Sequence, residues 1–128
     1  MIKASVFLIT ALLSFGSVPQ QEILTNISTA MQAGSSKELI KFCNSNLEIK
    51  MDGKTSNYSI AQAEVILKDF FLKNPAKGFQ YIHQGSSPEG LKYTIGTYTT
   101  EGASYRVVMV IKKVKNEFKI DTINFSRE

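Results

Sequence analysis

Apolar positions in the first third of the chain repeat at helical spacing. Ile23, Leu24, Ile27 and Met31 fall on one face of a helix that starts near Pro19 and stops at Gly34. Ser35-Ser36-Lys37-Glu38 reads as a capping box opening a second, short helix through Phe42, which Asn44-Ser45-Asn46 breaks. The period then changes to two. Leu47, Ile49 and Met51 alternate with Glu48 and Lys50, Asp52-Gly53 supplies a turn, and residues 54–58 return as a hairpin. Ser59-Ile60-Ala61-Gln62 is a second capping box, and its helix runs to Lys73, before Asn74-Pro75. Ala63, Ile66, Leu67 and Phe70 form its apolar stripe. Val65 and Leu72 lie off that stripe, which predicts burial on more than one side, and Glu64 and Lys68 are spaced for an i,i+4 ion pair. Strands follow over residues 79–84, 91–100, 104–114 and 118–125, each bounded by turn residues. Helices first and a meander of long strands last define an α+β fold.

The extreme N-terminus has a different character. Lys3 precedes an apolar run from Ala4 to Phe15, about a dozen residues and too short to span a bilayer. Ser14-Phe15-Gly16 then fits a small-x-small cleavage site, so residues 1–17 are expected to be a signal peptide and 18–128 one mature domain. The expected location is the periplasm or the extracellular space, with no membrane anchor left after cleavage.

With the leader removed, 14 basic and 11 acidic residues leave a net charge of +3. Lys92, Arg106, Lys112, Lys113, Lys115, Lys119 and Arg127 carry much of the basic excess, at strand and turn positions that suit a solvated sheet face better than a nucleic-acid surface. The single cysteine, Cys43, cannot form an internal disulfide. It shares a helical face with Leu39 and Ile40, which predicts a small buried hydrophobe.

The order of elements resembles the nuclear transport factor 2-like superfamily, in which a curved sheet wraps around helices as a cone. Several segments are similar to the domain of unknown function family 4783: Ala61-Gln62-Ala63-Glu64, the run from Ile66 to Phe71, Asn74-Pro75, His83-Gln84-Gly85-Ser86, Tyr93-Thr94-Ile95-Gly96 and Tyr105-Arg106-Val107. The likeness covers about residues 20–127. It implies a small exported bacterial protein, a cone with a possible pocket and dimerisation through the sheet. It carries over no functional residues, because fold alone does not license an activity.

Strand alternation sorts the side chains onto two faces. The inner set is expected to hold Phe79, Tyr81, His83, Leu91, Tyr93, Ile95, Thr97, Tyr105, Val107, Met109, Ile111, Phe118, Ile120, Thr122 and Asn124. Pocket candidates follow as Phe70, Phe79, Tyr81, His83, Tyr93, Tyr105 and Met109, lining a site for a small apolar or amphipathic ligand. Tyr98, Val108, Val110, Ile123 and Phe125 would form an apolar outer face suited to a homodimer. A single β-bulge would exchange part of these lists.

Catalytic chemistry has little support in the sequence. His83 is the only histidine, and the inner list holds no carboxylate to pair with it. Acid–base catalysis through His83 is therefore the lesser alternative to a non-catalytic binding module or an envelope interaction domain. Asp69 shares a polar stripe with Gln62 and Lys73 and reads as a solvated helix residue. One histidine and one distant cysteine do not make a zinc site, no calcium-loop or phosphate-loop spacing occurs, and no cofactor is expected.

Overall fold

The computed structural model describes residues 19–128. The signal-peptide reading of residues 1–17 lies outside them. Helix α1 spans Pro19–Ala33, α2 spans Ser36–Leu39 and passes into a 3-10 turn at Ile40–Phe42, and α3 spans Ile60–Lys73. The strands are β1 Cys43–Met51, β2 Lys54–Ser59, β3 Gly78–Ser86, β4 Lys92–Thr100, β5 Ala103–Val114 and β6 Glu117–Arg127. They form one six-stranded sheet in the order β2-β1-β6-β5-β4-β3. All neighbours pair antiparallel except β1 and β6, which run parallel. Helices pack on the concave side of this curved sheet, an α+β cone. None of the described helices is long and apolar enough to cross a membrane.

Local chemistry sets the element boundaries. Ser59 caps α3 with the reciprocal geometry of a capping box: its hydroxyl accepts from the Gln62 amide and the Gln62 side chain accepts from the Ser59 amide. Only half of the expected box forms at α2. Ser35 accepts from the Glu38 amide at 3.1 Å, while the Glu38 carboxylate turns to Lys41 at 3.0 Å. Gly34 ends α1 with φ +61°, a left-handed conformation that favours glycine. The first strand begins at Cys43, earlier than expected, because an irregular register between Cys43 and Glu48 lets Asn44–Asn46 stay in the sheet.

The core joins Ile23, Leu24, Ile27 and Met31 of α1 to Leu67, Phe70 and Phe71 of α3 and to Val107, Met109, Ile111, Ile120, Ile123 and Phe125 of the sheet. Cys43 is buried within it, as read from the sequence, and burial pushes its thiol pKa up to about 12 against a small opposing pull from Lys119. Such a thiol is inert at neutral pH.

Two bulges decide which side chains face this core. In β6, Ile120 pairs with Ile111 and Thr122 with Val110, so Asp121 is the extra residue. The alternation inverts there: Ile120 points inward before the bulge, and Ile123 and Phe125 point inward after it. Asp121 is held by Lys112 at 3.3 Å and by Asn44 at 3.3 Å. In β3, Tyr81 pairs with Gly96 and His83 with Ile95, leaving Ile82 extra and 56% exposed.

The expected faces of β4 are reversed throughout. Thr94, Gly96 and Tyr98 point inward, and Tyr93, Ile95 and Thr97 point outward. Pairing explains the reversal, since Tyr98 lies opposite Tyr105 and Gly96 opposite Val107, both on the inner face of β5. Gly96 is inside because Phe79 lies across it: a Cβ there would meet the Phe79 ring at 2.7 Å. Gly96→Ala must displace that ring and is expected to lower unfolding stability by about 1–3 kcal/mol. A chemical-denaturation midpoint at or above that of the unsubstituted protein would show that the ring does not depend on this gap.

Candidate functional site

The inside of the cone is filled. Phe70 packs against Phe71, Tyr98, Tyr105 and Phe125, with ring centroids 4.4 to 5.7 Å apart. Phe79 stacks edge-on against Tyr81 at 5.1 Å. Interactions of this type add to the burial each ring already contributes.

Asn74 ties this aromatic group to the end of α3. Its backbone N–H and its side-chain amide both donate to the Phe70 carbonyl, at 2.9 and 3.0 Å. Its own carbonyl accepts from the Tyr98 hydroxyl, and its Oδ1 accepts from the Tyr105 hydroxyl at 3.0 Å. Both tyrosines can therefore keep a polar end inside the cone at no unpaired cost. On the other side of the sheet end, Tyr81 donates to the Leu24 carbonyl of α1 at 2.7 Å, and burial raises its pKa above the usual tyrosine range.

Open space lies toward the mouth. A cleft of about 450 Å³ lies between the β1–β2 hairpin, α3 and the ends of β5 and β6. Ile49, Met51, Ile66, Phe70 and Phe125 supply its apolar floor, and Tyr58, Asn74 and Tyr105 its polar wall. Asp52 and Lys54 flank it from the hairpin turn, and Asp69 and Lys73 from α3. Asp69 and Lys73 are paired at 3.1 Å and largely exposed, so this contact contributes little to stability. The volume is in the range of small-molecule sites.

The sequence-derived site residues divide accordingly. Phe70 and Tyr105 line the cleft. Phe79 and Met109 are core, and Tyr81 is spent on the bond to α1. His83 and Tyr93 are corrected to the outer face, where their rings lie 5.9 Å apart and Tyr93 covers Gly85. His83 is thus on the opposite face of the sheet from the cleft. Of the outer-face candidates, Val108 and Val110 do point outward and are half-buried. Tyr98, Ile123 and Phe125 are corrected to the inner face, where each is at most 3% exposed. Tyr58, Ile49, Met51 and Ile66 were not singled out as site residues; the Asp52-Gly53 turn that brings the hairpin over α3 was the signal that could have found them. Asp69 borders the cleft as well as the solvent. Among the described residues no group of three or more histidine, cysteine or carboxylate side chains could hold a metal.

A cone of this construction, with a bent sheet closed by helices and a cleft at its wide end, has the nuclear transport factor 2-like fold. The chain belongs to the family of domains of unknown function DUF4783, whose model matches residues 24–126. It is similar to a DUF4783 family protein from Bacteroides ovatus ATCC 8483, with 32% identity and a TM-score of 0.77 over 80% of this chain and 93% of that one. A DUF4783 family protein from Bacteroides fragilis YCH46 superposes with a TM-score of 0.77 at 23% identity, over 88% of this chain and 100% of that one. A nuclear transport factor 2-like protein of unknown function from Silicibacter pomeroyi DSS-3 shares the fold alone, with 8% identity and a TM-score of 0.61 over 86% of this chain and 93% of that one. No curated protein sequence matches the chain.

The Tyr98 hydroxyl gives the aromatic group a pH signature. Burial, reinforced by the proximity of Tyr105, pushes its pKa up to about 12. The unfolded chain releases this proton near the ordinary tyrosine value of about 10, so it is the unfolded state that gains as pH rises. The contribution is fully present below pH 10 and is lost between roughly pH 10 and 12. Tyr98→Phe is expected to be less stable than the unsubstituted protein by about 1–3 kcal/mol at pH 8, because the Asn74 carbonyl loses its donor. That gap should narrow through the alkaline range. Parallel stability profiles from pH 8 to 12 would show that Tyr98 is not the group responsible.

Proposed function

We propose that this protein is an exported, non-catalytic binding module that holds a small amphipathic molecule at the mouth of its cone. The cleft is the observation that carries this reading: an apolar floor of Ile49, Met51, Ile66, Phe70 and Phe125 beneath a rim with both signs of charge. The floor suits an alkyl or aromatic body. The rim, with Asp52 and Asp69 against Lys54 and Lys73, suits a neutral or zwitterionic polar end and gives a strongly charged one no net attraction. A purely apolar ligand enclosed within the cone is a poorer fit, because the aromatic side chains already occupy that space. With the expected signal peptide cleaved, the proposed binding step belongs to the periplasm or the outside of the cell.

The reading leaves His83 out of the site. An acid–base enzyme would need a tuned proton-transfer group facing the bound molecule. Asp69 is the carboxylate on the α3 side of the cleft, and it is engaged with Lys73 in water.

A neutral fluorescent amphiphile, N-phenyl-1-naphthylamine, tests the proposal directly. The mature domain should enhance its fluorescence saturably. Ile66→Trp, which fills the floor, should weaken binding at least tenfold, and Thr122→Ser on the outer face should leave it unchanged. Binding that persists undiminished in Ile66→Trp, with the variant still folded, would move the ligand away from this cleft. No saturable binding up to millimolar protein would end the reading.

A further inference from the structure

The outward side of α3 differs from what its sequence pattern implied. Val65 and Leu72 are not packed on a second layer; they are 65% and 70% exposed. Ala61, Val65, Lys68 and Leu72 are all exposed and recur at i, i+4, i+7 and i+11. At 3.6 residues per turn they fall within about 60° of one line along the helix. Val65 and Leu72, two large apolar side chains in water seven residues apart on one line, describe one half of a helix–helix contact.

The charges beside the stripe point the same way. Glu64 lies on one flank of it, four residues before Lys68, which is part of the stripe on that same side. Their spacing predicts an ion pair, yet none of the six salt bridges among the described residues includes either side chain. Both charges are left for another partner.

We propose that this stripe is a self-association surface, and that its occupant is α3 of a second copy, antiparallel and related by a two-fold axis. In such a contact each residue pair occurs twice. With the axis level with residue 66, Leu72 of each copy is level with residue 60 of the other and within one residue of the small Ala61. Val65 meets Val65 beside the axis. Glu64 of each copy faces Lys68 of the other, so two cross-pairs form on one flank. A parallel arrangement fails on the same residues, because Lys68 sits near the midline and would be set against its own copy. The antiparallel register alone matches large to small and negative to positive along the stripe.

The helix has 14 residues, so the contact is about 21 Å long. A patch of that length belongs to the weak, concentration-dependent class of interfaces below roughly 1,000 Å². The outer sheet face, where Ile95 and Tyr93 lie beside Val108 and Val110, is the competing surface.

Sedimentation velocity of the mature domain at low salt, from micromolar to millimolar concentration, should show a reversible dimer. Glu64→Lys and Lys68→Glu should each raise its dissociation constant roughly five- to tenfold, since symmetry turns two attractive pairs into two repulsive ones. Combining the two should restore it to within about threefold, which a general loss of stability would not do. Val65→Cys should form a disulfide-linked dimer with copper phenanthroline, while Cys43 stays buried; Lys50→Cys should not. A monomer at every concentration would overturn the proposal. A dimer indifferent to the charge exchange but abolished by Val108→Lys would place the interface on the sheet and overturn it equally.

Discussion

The end of α3 depends on a single asparagine. Asn74 stops the helix before Pro75, at φ −132° and ψ 73°, where a proline forbids the residue ahead of it to stay helical. Two of its donors satisfy the Phe70 carbonyl, and two of its acceptors take the hydroxyls of Tyr98 and Tyr105. Each bond is worth about 1 kcal/mol net, but losing one leaves a buried polar group unpaired at about 1–3 kcal/mol. The asparagine therefore fixes the distance between helix and sheet, and the aromatic rings around Phe70 fill what that distance allows.

Filling and opening are consequences of the same arrangement. Gly96 lets Phe79 lie flat against the sheet, and Tyr98 occupies the space beneath Phe71. Neither leaves room for a ligand. At the other end the β1–β2 hairpin leans over α3 without closing on it, and Tyr105 faces both regions: its ring belongs to the packed group and its edge to the cleft. Tyr105 thus links the wall of the cleft to the packed core behind it.

The sequence carried the architecture in its punctuation. Ser59 with Gln62, Gly34, Asp52-Gly53 and Asn74-Pro75 each have a local physical meaning, and every one of them marks a boundary in the structure. Facing was harder. In β4 the more apolar residues, Tyr93 and Ile95, point outward, while Thr94 and Gly96 point inward, because the inward choice is made by Phe79 and Tyr105 on neighbouring strands. In β6 the bulge at Asp121 inverts the alternation halfway along. Asp121 in this bulge is held by Lys112 across the β5–β6 hairpin and by Asn44, 77 residues earlier, which gives no local sign of it. The candidate site suffered most from this. Phe70 and Tyr105 were legible; Phe125 was assigned to the wrong face; the hairpin residues that complete the cleft could be placed only once the sheet order was known.

The cone is packed inside and open at its mouth. Methyl NMR on isoleucine- and methionine-labelled mature domain, titrated with a neutral short-chain monoacylglycerol, measures both halves at once. Saturable shifts are expected at Ile49, Met51 and Ile66, with Met109, Ile111 and Ile120 unmoved. Shifts centred on Met109 and Ile111 would mean that the ligand enters the packed interior, and would contradict this expectation.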